Sequence, residues 1–312
     1  MRAVFMGTPA FAVPTLAAMT GAGHSVELVI TQPDRPAGRK QTLTPPPVKI
    51  KALELGLEVF QPRRIKSADS FERLAAIAPD VIVVVGYGQI IPQPILDLPP
   101  LGCINVHASL LPKYRGAAPI NWAVANGETR GGVTTMRLIF KLDAGDMLLQ
   151  CATPIGPAET AQELLDRLAP IGAGLLVETL AGLEAGSITP RPQAEEEATY
   201  APILKRADGE IDWNLPASRI YNRLRGFTPW PGIYTYFRGR RLEIHCARPL
   251  DQAGPPPGAV ATTGGQLGVG CGEASMLALD DLQPEGKKRM AAADFVRGYR
   301  PQEDEVLGEN KK

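Results

Sequence analysis

The stretch DVIVVVGYG, from Asp80 to Gly88, decides the fold. Its five consecutive apolar residues, bounded by an aspartate and a glycine, are typical of a strand that is buried on both faces. Residues 67–79 before it have a helical pattern, and residues 103–112 after it form another apolar run. This alternation of strand, helix and strand predicts a mainly parallel α/β sheet with helices on both faces.

The same alternation extends in both directions from this strand. Towards the N-terminus, RAVFMG, SVELVITQPD and EVFQP predict three more strands with helices between them. Towards the C-terminus, residues 131–155 predict two strands around an LDAGD turn. Residues 159–186 predict a helix that Pro170 and Gly172 could interrupt.

The pattern of apolar and turn-forming residues changes near Asp208. Short alternating segments with turn residues at about every ten positions predict a small β-barrel there. A proline- and glutamate-rich stretch without a clear period precedes it and predicts a linker. We therefore predict an α/β domain over residues 1–189, a linker over 190–207 and a C-terminal β-barrel over 208–312. The length of 312 residues favours two domains, with a one-domain barrel as the competing interpretation.

The composition limits the classes of protein to consider. Lys and Arg together number 33, as do Asp and Glu, so a nucleic-acid site would have to be a local basic surface. The four cysteines are dispersed and form no CxxC pair, which favours a reducing cytoplasm over a zinc or disulfide framework. We expect neither a signal peptide nor a membrane span, because no apolar run approaches about 18 residues. We also expect a monomer.

One of the three histidines, His107, lies in the apolar run INVHAS. Side chains alternate along a strand, so Asn105, His107 and Ser109 should share one face. Ligands of an open parallel sheet bind beyond the carboxyl ends of its strands, where this amide and this imidazole would lie together. A histidine at a strand end is also commonly a hydrogen-bonded structural residue, and both interpretations stay open at this point.

A carboxylate in the LDAGD turn, Asp143, could complete such a site. Asp-x-Gly is common turn chemistry, so Asp143 becomes functional only if it reaches His107 and orients the ring. We reject Ser109 as a nucleophile because no GxSxG elbow surrounds it. We predict no metal site, because the histidines are dispersed and no HExxH pattern appears. GTPAFAVP lacks the glycine spacing of a dinucleotide or ATP loop.

Five motifs together resemble the folate-dependent formyltransferase family, in particular its branch that acts on methionyl-tRNA. They are GTPAFAVP at 7–14, TQPDRPAGR at 31–39, INVHASLLPKYRGAAPI at 104–120, LDAGDM at 142–147 and FTPWPG at 227–232. The resemblance runs from Met1 to about Met290. It implies a Rossmann-like, mainly parallel catalytic domain followed by a small open, OB-like β-barrel that binds tRNA.

The resemblance also assigns roles to individual residues. Members of this family surround the formyl group of 10-formyltetrahydrofolate with an Asn, a His and an Asp, which map here onto Asn105, His107 and Asp143. It implies 10-formyltetrahydrofolate as the formyl donor and no metal. The residues implied for the folate site are Ser109, Leu110, Leu111, Pro112, Tyr87, Gly88 and Ile90.

The chain departs from the family pattern just before the LDAGD turn. Relatives usually have an acidic residue and a glycine there, whereas this chain has Ile139, Phe140 and Lys141. Lys141 is close in sequence to Asp143, and a lysine at such a position is expected to face solvent.

A long basic segment, DRPAGRKQTLTPPPVKIK at 34–51, lies between a predicted strand and a predicted helix. Connections of this kind commonly have about two to six residues, so a longer one is usually functional or disordered. By resemblance, this segment reaches the acceptor end of Met-charged initiator tRNA. The residues expected to contact tRNA are Arg35, Arg39 and Lys40 in this segment and Arg223 in the C-terminal domain.

Three other activities fit part of these observations. A sugar-nucleotide N-formyltransferase would share the Asn–His–Asp group but would not require the long basic segment. A formyltetrahydrofolate hydrolase would use water in place of an amine. A non-catalytic RNA-binding protein would not need that group to be intact. Formylation of the α-amino group of methionyl initiator tRNA, for translation initiation, is the main expectation.

Overall fold

A computed structural model describes residues 1–38, 41–263, 266–303 and 305–308. The chain forms two compact units. The first unit comprises Met1–Pro119, Arg130–Pro154 and Leu165–Ala201, and the second comprises Ile120–Thr129, Ile155–Leu164 and Pro202–Lys312. Both units therefore contain segments that are distant in sequence.

Among the residues that the structure describes, the first unit contains eleven strands. In chain order they are β1 (Arg2–Gly7), β2 (Ser25–Ile30), β3 (Arg35–Ala37), β4 (Thr42–Thr44), β5 (Val59–Phe60), β6 (Val81–Val85), β7 (Cys103–His107), β8 (Arg115–Gly116), β9 (Arg130–Arg137), β10 (Met147–Pro154) and β11 (Tyr200–Ala201). Seven of them form one sheet in the order β10-β9-β7-β6-β1-β2-β5. The neighbours from β7 to β5 are parallel, whereas β9 and β10 add an antiparallel edge.

The predicted mainly parallel sheet is thus confirmed, and its centre is the strand that the sequence singled out. Every side chain of β6 is buried, as expected for a strand covered on both faces. From β1 the chain fills one side of the sheet with β2 and β5, and then the other side with β6 and β7. This reversal creates a crevice at the carboxyl ends of β1 and β6. There the Thr8 hydroxyl donates to the Tyr87 carbonyl at 2.9 Å.

Eight α-helices accompany the strands in the described part of the chain. They are α1 (Val13–Gly21), α2 (Pro47–Glu54), α3 (Ala68–Ile77), α4 (Gln93–Leu96), α5 (Pro119–Ala125), α6 (Ala161–Glu184), α7 (Ala217–Phe227) and α8 (Ala292–Tyr299). The Ser/Asp-rich start of α3 is a true cap, because the Ser67 hydroxyl accepts from the Ser70 N–H.

The interruption considered near Pro170 and Gly172 is not observed, since α6 continues through both residues. A proline inside a helix costs about 3 kcal/mol. Burial of a leucine contributes roughly 1.5–3 kcal/mol, and Leu168, Leu176 and Leu180 of α6 are all buried. The apolar face of the helix therefore outweighs the local defect.

The second unit contains an antiparallel sheet. Its strands are β12 (Ile233–Phe237), β13 (Arg240–Leu250), β14 (Val260–Thr263), β15 (Gln266–Gly270), β16 (Met276–Pro284) and β17 (Met290–Ala291). The order is β12-β13-β16-β15-β14, and β17 pairs with β16. The expected change to a β-rich C-terminal part is confirmed, and its strands pair antiparallel, whereas closure into an OB-like barrel stays a prediction. Within the described ranges, no helix has the length and apolarity to cross a membrane.

Candidate active site

Strand β7 carries two of the predicted catalytic residues to its carboxyl end. Asn105 is paired in register with Val84 of β6 and Met136 of β9, and His107 with Thr134 of β9. Both side chains are buried and, two residues apart on one strand, share a face. The structure shows no described partner for the amide of Asn105. That amide is therefore available to a bound substrate.

The imidazole of His107 has a defined orientation. Its Nε2 lies 2.9 Å from the carbonyl oxygen of Tyr114. Because a carbonyl only accepts, Nε2 carries a proton and donates it to Tyr114. The other nitrogen, Nδ1, lies 3.7 Å from Oδ2 of Asp143. This distance exceeds a direct hydrogen bond and leaves Nδ1 within reach of a third group.

Asp143 lies in the loop between β9 and β10, and its carboxylate approaches His107. The condition set by the sequence for a functional role, that Asp143 reach His107, is met. It is buried and has a left-handed backbone with φ of 46°. Its Oδ2 accepts a hydrogen bond of 2.8 Å from the Gly116 N–H. Gly116 has φ of 119°, and a Cβ there would meet the carbonyl oxygen of Ala201 at 2.6 Å. Only glycine therefore fits at the position that holds the carboxylate.

The unusual lysine next to this turn does face solvent. The side chain of Lys141 is 57% exposed, and its Nζ lies 2.7 Å from Oε1 of Glu195. The hydrogen bond from Lys141 and, to a smaller extent, the one from Arg115 hold the pKa of the Glu195 carboxyl below its usual value.

The loop after β7 is built from hydrogen bonds to β9 and β10. The Leu111 N–H donates to Thr134 Oγ1 at 3.2 Å, and the Leu111 carbonyl accepts from Gln150 Nε2 at 2.8 Å. The bond between Leu111 and Pro112 is cis. Leu110 and Pro112 are half-buried in this loop.

The expectation that Ser109 shares the face of Asn105 and His107 along one strand is wrong. Strand β7 ends at His107, where the Ser109 N–H donates back to the His107 carbonyl at 2.9 Å and forms a turn. The Ser109 hydroxyl donates to the Lys113 carbonyl at 2.7 Å. These two hydrogen bonds shape the loop locally.

The residues after β6 have three different environments. The ring of Tyr87 belongs to the apolar core, and burial raises the pKa of its hydroxyl to about 12. Its carbonyl accepts hydrogen bonds from the Thr8 hydroxyl and from Gln32 Nε2. Gly88 has a left-handed φ of 87°, and Ile90 is 79% exposed.

Four residues that contact the site were missed by the sequence interpretation: Arg115, Gln193, Glu195 and Thr199. Three of them lie in the stretch predicted as a linker, and the structure groups that stretch up to Ala201 with the first unit. Gln193 Nε2 donates to the carbonyls of Asp143 and Gly145 at 2.8 and 2.7 Å. The local signal was weak, because an acidic, proline-containing stretch is typical of a solvated connection.

The basic segment at 34–51 is partly neutralised by its own ion pairs. Lys49 Nζ lies 2.8 Å from Asp34, and hydrogen bonds from Gln61 and then Lys49 lower the pKa of that carboxyl. Lys51 pairs with Glu54. Arg35 donates to the side chain of Gln32 at 3.2 Å and is otherwise exposed.

The remaining candidates for tRNA contact are distributed between the basic segment and α7. Arg39 and Lys40 lie outside the described residues. Arg223 of α7 lies over the ring of Phe227 at 5.9 Å. In the described ranges, His, Cys, Asp and Glu side chains form no group suited to a metal ion.

Comparisons with known proteins place this geometry in a family. Residues 1–180 match the formyl transferase family, and residues 203–300 match the formyl transferase C-terminal domain. The methionyl-tRNA formyltransferase of Solibacter usitatus (strain Ellin6076) is 58% identical over 310 residues, which are 99% of each chain. That of Koribacter versatilis (strain Ellin345) is 57% identical over 309 residues, again 99% of each chain.

Solved structures show the same fold at low sequence identity. WlaRD, a sugar 3N-formyl transferase crystallised with dTDP and 5-N-formyl-THF, has a TM-score of 0.68 and 16% identity, and the match covers 92% of this chain and 99% of that one. HypX from Aquifex aeolicus, in complex with tetrahydrofolic acid, has a TM-score of 0.61 and 16% identity over 95% of this chain and 47% of that one. On the near end-to-end identity to curated relatives, the chain belongs to the methionyl-tRNA formyltransferase family.

Proposed function

We propose that the protein transfers the formyl group of 10-formyltetrahydrofolate to the α-amino group of methionyl initiator tRNA. The observation that carries this proposal is the end-to-end identity of 57–58% to methionyl-tRNA formyltransferases. The buried group of Asn105, His107 and Asp143 supports it, because an amide donor, an imidazole and a carboxylate suit transfer of a formyl group between two nitrogens.

The nucleophile needs little activation by the protein. An α-amino group has a pKa near ~8, so roughly a tenth of it is neutral at pH 7. The harder tasks are to stabilise negative charge on the formyl oxygen and to move the proton between the attacking and leaving nitrogens. Asn105 and His107 serve the first task in this proposal, and Asp143 serves the second.

The orientation of His107 specifies which nitrogen acts. In this proposal His107 acts as an imidazolium: with Nε2 committed to the Tyr114 carbonyl, its Nδ1–H is directed towards the carboxylate and the space beside it. That N–H and the amide of Asn105 are the two donors to the developing oxyanion. One such donor contributes roughly 3–4 kcal/mol to transition-state stabilisation.

Asp143 acts on the proton. When the amine attacks the formyl carbon, a proton must leave that nitrogen, and the nitrogen of the leaving group must gain one as its bond to carbon breaks. The Asp143 carboxylate is held beside His107 by the Gly116 N–H. It accepts the proton from the attacking nitrogen and delivers a proton to the leaving nitrogen, directly or through a water. General acid–base help of this kind contributes about 10²–10⁴-fold in rate.

The loop between β7 and β8 and the backbone after β6 are the proposed folate site. The Leu111 backbone is fixed by Thr134 and Gln150, and the side chain of Ile90 is exposed. A preformed loop with apolar side chains and backbone polar groups suits a flat heteroaromatic ligand. The residues assigned to this site remain Ser109, Leu110, Leu111, Pro112, Tyr87, Gly88 and Ile90, with Tyr87 contributing through its backbone.

The acceptor decides between this function and its alternatives. The purified protein would be incubated with 10-formyltetrahydrofolate and, in parallel, Met-charged initiator tRNA, a dTDP-linked amino sugar or buffer alone. We expect formylmethionyl-tRNA in the first reaction and background signal in the other two. A formylated sugar, or free formate without an acceptor, would replace the proposal by a sugar N-formyltransferase or a hydrolase respectively.

A further inference from the structure

The amide of Gln193 makes three hydrogen bonds to nitrogen and oxygen atoms, beside a longer contact of 3.9 Å between its Nε2 and Met136 Sδ. Its Nε2 donates to the Asp143 carbonyl at 2.8 Å and to the Gly145 carbonyl at 2.7 Å, and its Oε1 accepts from Arg115 Nε at 2.9 Å. The two carbonyls can only accept and the guanidinium can only donate, so the orientation of the amide is determined. Both donor hydrogens of the amide are therefore used on the LDAGD turn.

The two hydrogen bonds that Gln193 Nε2 donates form an amide fork. This fork binds a turn whose backbone conformation needs support from its surroundings. Asp143 has a left-handed φ of 46°, a conformation that non-glycine residues keep only when their surroundings impose it. Gly145 allows a close approach, because a Cβ there would lie 1.8 Å from the Arg137 carbonyl oxygen. The fork binds the carbonyl of Asp143 itself and that of Gly145, and so fixes the direction of the Asp143 side chain.

The other end of Gln193 is anchored equally firmly. The side chain of Arg115 is fully buried, and its Nη1 lies 3.0 Å from Oε2 of Glu195. Arg115 directly precedes Gly116, whose N–H holds the Asp143 carboxylate. The two-residue strand β8 thus reaches Asp143 by two routes: one through a backbone N–H to the carboxylate, and one through Arg115 and Gln193 to the backbone.

We propose that Gln193 is a positioning residue for formyl transfer, which keeps the Asp143 carboxylate within reach of His107. The proposal rests on the catalytic role proposed above for Asp143. Gln193 touches neither the carboxylate nor the imidazole in the bonds described, so its effect is expected on the rate of the chemical step. Substrate binding should change little, because the loop around Leu111 has its own supports in Thr134 and Gln150.

The first test is the isosteric change Gln193→Glu. The new carboxylate still accepts from Arg115 but places an oxygen against two carbonyl oxygens, so the fork is lost while the anchor is kept. We expect kcat to fall by roughly 10- to 100-fold. The KM for either substrate should stay within about twofold of the original value. Gln193→Met, which removes the fork without adding a charge, should lower kcat in the same direction.

The matched control is Gln283→Glu in the second unit. Gln283 Nε2 donates to the Lys287 carbonyl at 3.0 Å in an exposed setting. The same chemical change there should leave kcat within about threefold of the original. Thermal unfolding of all variants would show whether each is folded at the assay temperature.

A double-mutant cycle with Asp143→Asn separates positioning from a general loss of structure. If Gln193 acts through Asp143, adding Gln193→Glu to Asp143→Asn should cost at most about a further threefold in kcat. Losses that multiply, or a folded Gln193→Glu enzyme with kcat within about threefold of wild type, would overturn the proposal.

Formylation by the wild-type protein tests the proposed function, whereas the ratio of variant to wild type tests Gln193. If another acceptor than methionyl-tRNA is formylated, the same ratios are measured with that acceptor.

Discussion

Thr199 accepts two hydrogen bonds from the backbone segment that orients His107. Its hydroxyl accepts from the Tyr114 N–H at 2.9 Å, and its carbonyl accepts from the Arg115 N–H at 2.8 Å. The peptide between Tyr114 and Arg115 in turn presents the Tyr114 carbonyl to Nε2 of His107. Tyr114 has a left-handed φ of 62°, so this arrangement depends on external support.

Removal of the Thr199 hydroxyl should therefore loosen the imidazole. We expect Thr199→Val to lower the free energy of unfolding by about 1 kcal/mol, the usual net value of one hydrogen bond. We expect kcat to fall by about tenfold, because the Tyr114 carbonyl no longer holds one position. Urea unfolding and steady-state kinetics measure the two effects. Thr20→Val, which removes only a bond to Leu16 within α1, should leave kcat unchanged.

Asn105 should matter for rate far more than for stability. Its amide is buried, and the structure describes no hydrogen-bond partner for it, so a folded protein gains little from keeping it. We expect Asn105→Ala to lower kcat by roughly 10²–10³-fold, the usual effect of removing one oxyanion donor. The free energy of unfolding should change by less than about 1 kcal/mol. Turnover within a few-fold of wild type for this variant, or for His107→Ala, would remove these residues from the mechanism.

Gly116 should tolerate no side chain. A Cβ there meets the Ala201 carbonyl oxygen at 2.6 Å, in a backbone with φ of 119°. Gly116→Ala must therefore shift the N–H that holds Asp143, and we expect kcat to fall by at least about 10²-fold. Gly102→Ala is the control, because Gly102 also has a positive φ, of 84°, but open space around its Cβ position. That variant should lose roughly 1 kcal/mol of stability and keep its activity.

The departure from the family pattern at Lys141 should have little effect. Its ammonium pairs with Glu195 while both side chains are 57% exposed. Exposed pairs of this kind contribute little to stability, because water and salt screen them. We expect Lys141→Ala to keep kcat within about threefold of wild type, since Arg115 continues to bind Glu195. A larger drop in kcat would show that the lysine influences Asp143.

Arg35 should contribute to tRNA binding through phosphate contacts. It is the exposed basic residue of the described part of the 34–51 segment that has no acidic partner in the structure, whereas Lys49 and Lys51 are paired with Asp34 and Glu54. We expect Arg35→Ala to weaken binding of initiator tRNA. It should also reduce the slope of log affinity against log salt by about 1. Lys51→Ala is the control and should leave the slope close to that of wild type.

The parts of the molecule that sequence predicted well have local periodic signals. The apolar run in β6 predicted a central strand, and the alternation along β7 predicted that Asn105 and His107 share a face. The LDAGD turn was placed correctly between two strands. The convergence of Asp143 on His107 could be stated only as a condition, because no period connects residues on different strands.

The parts that sequence missed depend on where elements end and on long-range polar contacts. The strand alternation was predicted to continue through Ser109, because no glycine marks the turn that follows His107. Each residue of the predicted linker, taken alone, is of a type that commonly faces solvent. Gln193 acquires its role only through its hydrogen bond with the buried Arg115. Such contacts join residues far apart in sequence and leave no trace in local composition.

The role of the stretch from Gln193 to Ala201 sets a limit on how the polypeptide can be divided. A fragment that stops at residue 189 would carry the whole sheet and all three candidate catalytic side chains, but it would lack the groups that orient Tyr114 and Asp143. Truncations, circular permutations and chimaeras of this enzyme should therefore place their junctions after Ala201.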